Sequence, residues 1–570
     1  MRRFLTSISL LLTIPLLLTI SSCKKMDNAE AQKKAETEFA AFQKEYVGKL
    51  KPVTIGWFTA DFEAAVSGEP ADFARSDSFQ MIYNKLVSDK AGFAKLKAWN
   101  DSGMVRDTSL ARSLLLIYNE YLSKQIDTNK LNAMTKLQTE IVQKFNKFRA
   151  DVDGKQLSDN EIEEVLKTST ESKELQATYE AHKKIGPLVA DDIIKLVKMR
   201  NEAARQLGFK NYHQMSLTLS EQDPEEISKL FDELDNLTRE PFKQLKTEID
   251  NVLSKRCNIK PEEMQPWHYQ NRYFQEAPKI YDIDVDTYYK DKDIIATTEN
   301  YYKSLNLLIG DIIPKCDLYP KPKKNQHAFC STIDRDIADI RVLCNTDKSA
   351  RWMETNLHEF GHALYDKFYS AETHWIQKQP AHIFTTEAIA MLFGRFATNP
   401  QWMQDVIGIS VEEKTKIADM CHKVLRLQQL CFSRWSQVMY RFEKSMYDNP
   451  DQDLNKLWWD LVEKYQMVKK PAGRNMPDWA TKTHIASAPC YYHNYHLGEL
   501  LASQLYNTLC DKVLKVKSTE YPSFYGKPEV GKYLIAHVFS VGAKYNWNEM
   551  IERATGEKLT PKYYAAQFVK

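Results

Sequence analysis

Asn356-Leu357-His358-Glu359-Phe360-Gly361-His362-Ala363-Leu364 is the stretch on which the reading of this 570-residue chain turns. Residues four apart on an α-helix share a face, so His358 and His362 can aim their imidazoles at one cation. Glu359 lies between them, close to that cation without having to ligate it, where a general base for an activated water belongs. A chain with 13 histidines and 76 acidic residues contains His-acid-x-x-His by chance roughly 0.04 times. Met353, Leu357, Phe360, Leu364 and Phe368 recur at helical spacing, which predicts an amphipathic helix with both histidines beside its apolar stripe. Gly361 leaves space on that helix, at about 1 kcal/mol relative to alanine. The plain alternative is two surface histidines on an ordinary helix, and a third ligand further along argues against it.

A catalytic zinc takes three protein ligands and keeps one position open. Glu387 is the candidate. It sits in Phe384-Thr385-Thr386-Glu387-Ala388-Ile389-Ala390-Met391-Leu392-Phe393, an apolar run that reads as a buried helix. An unpaired carboxylate is costly to bury there, and ligation would explain it. The alternatives are Glu387 as a helix cap and His382 as the third ligand.

Met1-Arg2-Arg3, an apolar run from Phe4 to Ile20, and Ile20-Ser21-Ser22-Cys23 together read as a secretory signal with small residues at the cleavage point. Cysteine directly after Ile-Ser-Ser resembles the bacterial lipobox. The expected boundaries are a lipoprotein signal at 1–22, lipidated Cys23 with a polar tether at 23–40, and one catalytic domain at 41–570. Plain secretion is the alternative, and the run is short for a transmembrane anchor. Loss of Arg2 and Arg3 takes the formal net charge from +2 to zero. That balance favours neither nucleic acid nor an anionic membrane surface as partner. Attachment to the bacterial cell envelope through the Cys23 lipid, a monomeric state and no nucleic-acid partner are the expectations.

No repeat, linker or low-complexity tract breaks the remaining sequence, and helical patterns such as Leu110–Tyr118 and Ile194–Ala204 dominate it. Strand-like alternation is clearest from Ile333 to Leu343. One mainly helical unit with a small sheet near the His358 helix is expected. The eight cysteines after Cys23 permit disulfides without showing any.

Lys482-Thr483-His484-Ile485-Ala486-Ser487-Ala488-Pro489-Cys490-Tyr491-Tyr492-His493-Asn494-Tyr495-His496-Leu497-Gly498-Glu499 places three histidines and three tyrosines around one proline. A tetrahedral oxyanion formed at the metal needs hydrogen-bond donors aimed at it, and tyrosine hydroxyls and imidazoles suit that task. An aromatic helix start packed in the core is the alternative.

With these motifs in hand, the chain resembles the angiotensin-converting-enzyme family of peptidyl dipeptidases, which are gluzincin metallopeptidases. More distantly it resembles the thimet oligopeptidase and oligoendopeptidase group. Asn201-Glu202-Ala203-Ala204-Arg205, His327-Ala328-Phe329-Cys330, Arg341-Val342-Leu343-Cys344-Asn345-Thr346, His358-Glu359-Phe360-Gly361-His362, Glu387-Ala388-Ile389, Trp458-Trp459-Asp460-Leu461 with Lys464-Tyr465-Gln466, and Lys482-Thr483-His484-Ile485 carry the likeness. It implies a two-lobed helical zincin ellipsoid with a deep central cleft, and one Zn2+ per chain on His358, His362 and Glu387. Glu359 would be general base and acid, with Tyr495 and His484 on the oxyanion. Lys482 and Tyr492 would grip the substrate's terminal carboxylate, Gln270 being the third group there. His327 and the backbone at Ala328 and Cys330 would pair with the peptide. Tyr491 competes with Tyr492, because the segment after His484 is one residue longer than in the family. Short peptides, cleaved to release C-terminal dipeptides, are the implied substrates. An oligoendopeptidase and a non-catalytic peptide-binding lipoprotein are the other readings.

The chain also departs from the family. Met391 replaces an aspartate four residues after the third ligand. Asn494 and Val462 stand where chloride-linked arginines would be, so chloride activation is not expected. The family disulfide lacks one half at Gln326, which leaves Cys330–Cys344 as the alternative bridge.

Overall fold

The computed structural model describes residues 15–569, with side chains from Asn28 onward. The first 14 residues of the expected signal, and the Cys23 thiol, lie outside the described part. Four helices open the chain: α1 (Pro15–Ser67), α2 (Pro70–Val87), α3 (Lys90–Ser102) and α4 (Thr108–Ser123). Gly68 turns α1 into α2 at φ +66°, and a Cβ there would lie 2.3 Å from the Lys323 carbonyl oxygen, so only glycine fits. Asp89 and Asp107 cap α3 and α4 by accepting from backbone N–H groups of their first turns. Phe39, Tyr46, Leu50, Leu96, Leu114 and Ile117 give this layer its own core, which Trp375 and Ile376 join from a later loop.

The expected tether and the boundary at residue 41 fall inside α1. Phe39 is fully buried, with its ring 5.6 Å from that of Trp99. Glu36 accepts from the backbone N–H groups of Arg106 and Asp107. The polar sequence there is the solvent face of a docked helix, because the few apolar residues on its other face suffice to seat it.

The larger part of the molecule follows as α5 (Thr128–Lys147), a small hairpin β1 (Ala150–Val152) and β2 (Lys155–Leu157), α6 (Asp159–Thr168), α7 (Ser172–Lys183), α8 (Ile185–Gln206), α9 (Tyr212–Leu219), α10 (Pro224–Arg256) and α11 (Ile294–Ser304). Next come β3 (Phe329–Asp334), β4 (Asp339–Leu343), α12 (Ala350–Lys367), α13 (Ile383–Gly394), α14 (Pro400–Trp402), α15 (Val411–Asp448) and α16 (Leu454–Leu461). The chain ends with α17 (His484–Ser487), α18 (His493–Thr508), α19 (Pro528–Leu534), α20 (Trp547–Thr555) and α21 (Lys562–Phe568). One apolar core runs continuously from Met134 on α5 to Phe568 on α21. The architecture is mainly α, as the helical periodicities imply.

Ile333–Leu343 is a hairpin rather than a single strand. β3 and β4 pair antiparallel, Phe329 with Leu343 and Cys330 with Val342. In that register Cys344 lies beyond the partner of Phe329, out of step with Cys330. All eight cysteines from Cys257 to Cys510 are free thiols, so the Cys330–Cys344 bridge is not formed. Cys316 Sγ instead accepts from Val342 N–H at 3.2 Å. The outer edge of β4 carries a bridge to Asp317, whereas the outer edge of β3 has no strand partner among the described residues. Among those residues no helix is long and apolar enough to cross a membrane.

Candidate active site

Close packing of two helices builds the centre. Ser349 caps α12 by accepting from Trp352 N–H. At Gly361 a Cβ would lie 3.0 Å from Ala390 Cα, so the missing side chain lets α13 come against α12. That approach sets Glu387 opposite the paired histidines. Nε2 of His358 and of His362 lie 3.7 and 3.9 Å from the same Glu387 oxygen. The three donor atoms all fall within 4.8 Å of one another. His362 Nδ1 lies 2.7 Å from Thr386 Oγ1, which orients the ring so that Nε2 faces the carboxylate.

This donor set suits a divalent cation. Burial pushes His358 down to about 4 and His362 well below its ordinary value, so both rings are neutral donors at pH 7. Burial pushes Glu387 up to about 7, and the Glu499 charge acts in the same direction. No hydrogen-bond donor reaches Glu387 from the described residues, so its charge lacks a partner that a metal would supply. Two nitrogens and one carboxylate oxygen are a zinc ligand set that leaves a position for water. His358 keeps 28% of its side chain exposed, so the centre is reachable from solvent. His382 is no part of it: its Nδ1 accepts from Phe384 N–H and caps α13.

Glu359 projects from the same helix and is 7% exposed. Burial, then the Glu387 charge, pushes its carboxyl up to about 8, well into the range of a base that must also return a proton. Met391 supplies no carboxylate to His358; besides Glu387, the Glu499 charge acts on that ring, and Glu499 is itself ion-paired to Arg395.

A second set of side chains comes from the 482–495 segment. His484 opens α17, and its Nδ1 is buried without a partner. Burial holds it near 4, so it would donate from a neutral ring. The Tyr492 ring stacks edge-on against His484 at 5.2 Å and against Tyr495 at 5.4 Å. Tyr491 packs against Tyr495 at 5.2 Å, and the Glu387 charge reaches both hydroxyls. Tyr491 therefore lies with Tyr495 within reach of the Glu387 charge, whereas Tyr492 lies with Lys482.

Lys482 is 7% exposed and donates to Gln275 Oε1 at 2.6 Å. Its ammonium lies over the faces of Tyr273, Trp435 and Tyr492 at 5.0, 5.5 and 5.4 Å. Burial, then Arg272, pulls it down to about 7, against the weaker opposing pull of the Glu276 and Glu163 charges. Tyr492 accepts from Trp435 Nε1 at 2.8 Å and donates to Gln275 at 3.5 Å. Lys482, Tyr492 and Gln275 thus form one cluster, and Gln270 lies outside it. Gln270 stands at φ +59°, its oxygen accepting from Lys279 N–H and its amide donating to the Lys167 carbonyl. Gln270 shapes its own loop. Its near repeat five positions later gave the sequence no means to choose between the two.

His327 is exposed and Ala328 half-buried just before β3, and Cys330 is half-buried on that strand, whose outer edge has no strand partner among the described residues. Asn494 does not offer a positive charge; it accepts from Gln222, which in turn bonds His493.

Comparison with known proteins agrees with this geometry. The family model described as angiotensin-converting enzyme matches residues 33–563. An angiotensin-converting enzyme of Theromyzon tessulatum is 22% identical over 327 residues, 53% of this chain and 51% of the relative. Those of Bos taurus and Mus musculus are 23% and 21% identical over 66% and 70% of this chain, and over 30% and 32% of their own lengths. The chain spans about a third to a half of the length of these relatives.

Proposed function

This chain belongs to the angiotensin-converting enzyme family, and from that premise we propose that it is a zinc metallopeptidase that removes C-terminal dipeptides from short peptides. The observation that carries the reading is the convergence of His358, His362 and Glu387 within 4.8 Å, with Glu359 beside them. His358, His362 and Glu387 would hold the zinc. When bound, zinc supplies Lewis acidity to the scissile carbonyl and to the attacking water.

Everything else falls to the chain. Glu359 takes a proton from the attacking water and passes it to the leaving nitrogen. The hydroxyl of Tyr495 and the neutral ring of His484 donate to the oxyanion as it develops. The buried Lys482 ammonium, with Tyr492 and Gln275, receives the substrate's terminal carboxylate, which pairs a cation whose one direct hydrogen bond is to an amide. The backbone at Ala328, just before β3, and at Cys330, on its open edge, offers pairing to an extended peptide, with His327 preceding it.

The test is metal content and hydrolysis of an N-blocked short peptide by the parent beside Glu359→Gln. One zinc in each, with activity confined to the parent, supports the reading, and no zinc in either sinks the ligand set. Amidating the peptide's C-terminus should abolish cleavage; undiminished cleavage would make the enzyme an oligoendopeptidase. We also propose that Cys23 carries a lipid that ties the enzyme to the cell envelope, which labelling with a radioactive fatty acid and Cys23→Ala would test.

A further inference from the structure

The one-turn helix α17 carries His484 and then runs through Pro489 and Cys490 to Tyr491, Tyr492 and Tyr495. Four residues cannot satisfy the carbonyls at their own helix end. Arg200, buried on α8, does so from behind. Its Nη2 donates to the Ala486 carbonyl at 2.7 Å and to Gln138 Oε1 at 2.7 Å. Its Nη1 reaches the Ile485 carbonyl at 3.5 Å and the Tyr447 hydroxyl at 3.2 Å. A positive charge at a helix C-terminus is also favourable by its dipole. Further along, Cys490 stands at φ +55°, a left-handed conformation strained for a residue with a side chain. Glu443, 2% exposed on α15, holds that turn by accepting from Cys490 N–H at 2.9 Å. Asn201, next to Arg200, bonds the Tyr447 carbonyl at 2.8 Å and ties α8 to the end of α15.

Buried polar side chains on two long helices thus hold the backbone of one short segment, and neither bonds His358, His362 or Glu387. We propose that Arg200 and Glu443 are positioning residues that lock the 484–492 backbone so that His484 and Tyr495 aim at the reacting carbonyl. The inference rests on the role given above to His484 and Tyr495.

A double-mutant comparison on the zinc enzyme, joined to hydrogen exchange of segment 484–495 in the substrate-free protein, tests it. Arg200→Gln should lower kcat on the order of tenfold, with KM and zinc content near the parent's, and should speed exchange of the segment. In a His484→Ala, Tyr495→Phe background the same substitution should change kcat by less than about twofold. Glu443→Gln keeps an acceptor for Cys490 N–H and should retain most of the parent kcat, whereas Glu443→Ala should not. An equal loss from Arg200→Gln in both backgrounds, unchanged exchange, or a Glu443→Ala enzyme as fast as Glu443→Gln would overturn the proposal. If the parent cleaves no peptide the assigned activity falls, while the exchange comparison still decides whether Arg200 and Glu443 hold the segment.

Discussion

The Thr386 hydroxyl lies 2.7 Å from His362 Nδ1, so the residue next to Glu387 orients a candidate ligand across the α12–α13 contact. Thr386→Val keeps the shape and removes the bond. Zinc affinity should weaken by about 10- to 100-fold, while activity at saturating zinc changes little. Competition with a chromogenic chelator measures it, and an unchanged affinity would leave the ring oriented by packing alone.

Gln275 and Gln270 should separate cleanly. Gln275→Ala removes the partner of both Lys482 and Tyr492 and should raise KM for peptides with a free C-terminal carboxylate. Gln270→Ala should leave KM alone and lower the melting temperature, because that side chain only braces its loop. Steady-state kinetics and a thermal melt on the two variants decide between them.

Gly361 is set by contact rather than by conformation. Gly361→Val would press its branches on Ala390 and part the two ligand-bearing helices. Stability should fall by about 1–3 kcal/mol despite the loss of a helix-weakening glycine, and zinc affinity should fall with it. Denaturant unfolding of the metal-free protein separates the two effects.

His496 carries the clearest pH signal. It is fully buried among Phe231, Phe432 and Tyr564, and neither ring nitrogen has a hydrogen-bond partner. Burial, reinforced by Arg434 and Arg395, holds it near 3 against about 6.5 when unfolded. Below pH 6.5 the unfolded chain therefore binds the extra proton, and stability is lost as the pH falls from 6.5 toward 3. His496→Leu, of similar size, should raise the melting temperature at pH 7 and flatten its decline between pH 6.5 and 4. A decline as steep as the parent's would assign the slope to other groups, such as His213 and His493, which burial also lowers.

Local spacing made the candidate trio of His358, His362 and Glu387 readable in advance. His358 and His362 are four apart on one helix and Glu387 sits in an apolar run that disfavours a bare carboxylate, although the close α12–α13 contact at Gly361 is what brings the three together. The mainly helical class followed from periodicity for the same reason. Tertiary packing alone decided the remainder. Gln275 meets Lys482 and Tyr492 across 207 and 217 residues of sequence, so no local pattern favours it over Gln270. That Tyr492 rather than Tyr491 lies beside Lys482 depends on where Trp435 stands on another helix, and the Cys330–Cys344 pairing fails on strand register. The 24–40 stretch looks like a tether because its polar residues outnumber the few, Phe39 among them, that bury against α3. Sequence reports what one helix turn can place; contacts between distant segments depend on a shared core that no short stretch contains.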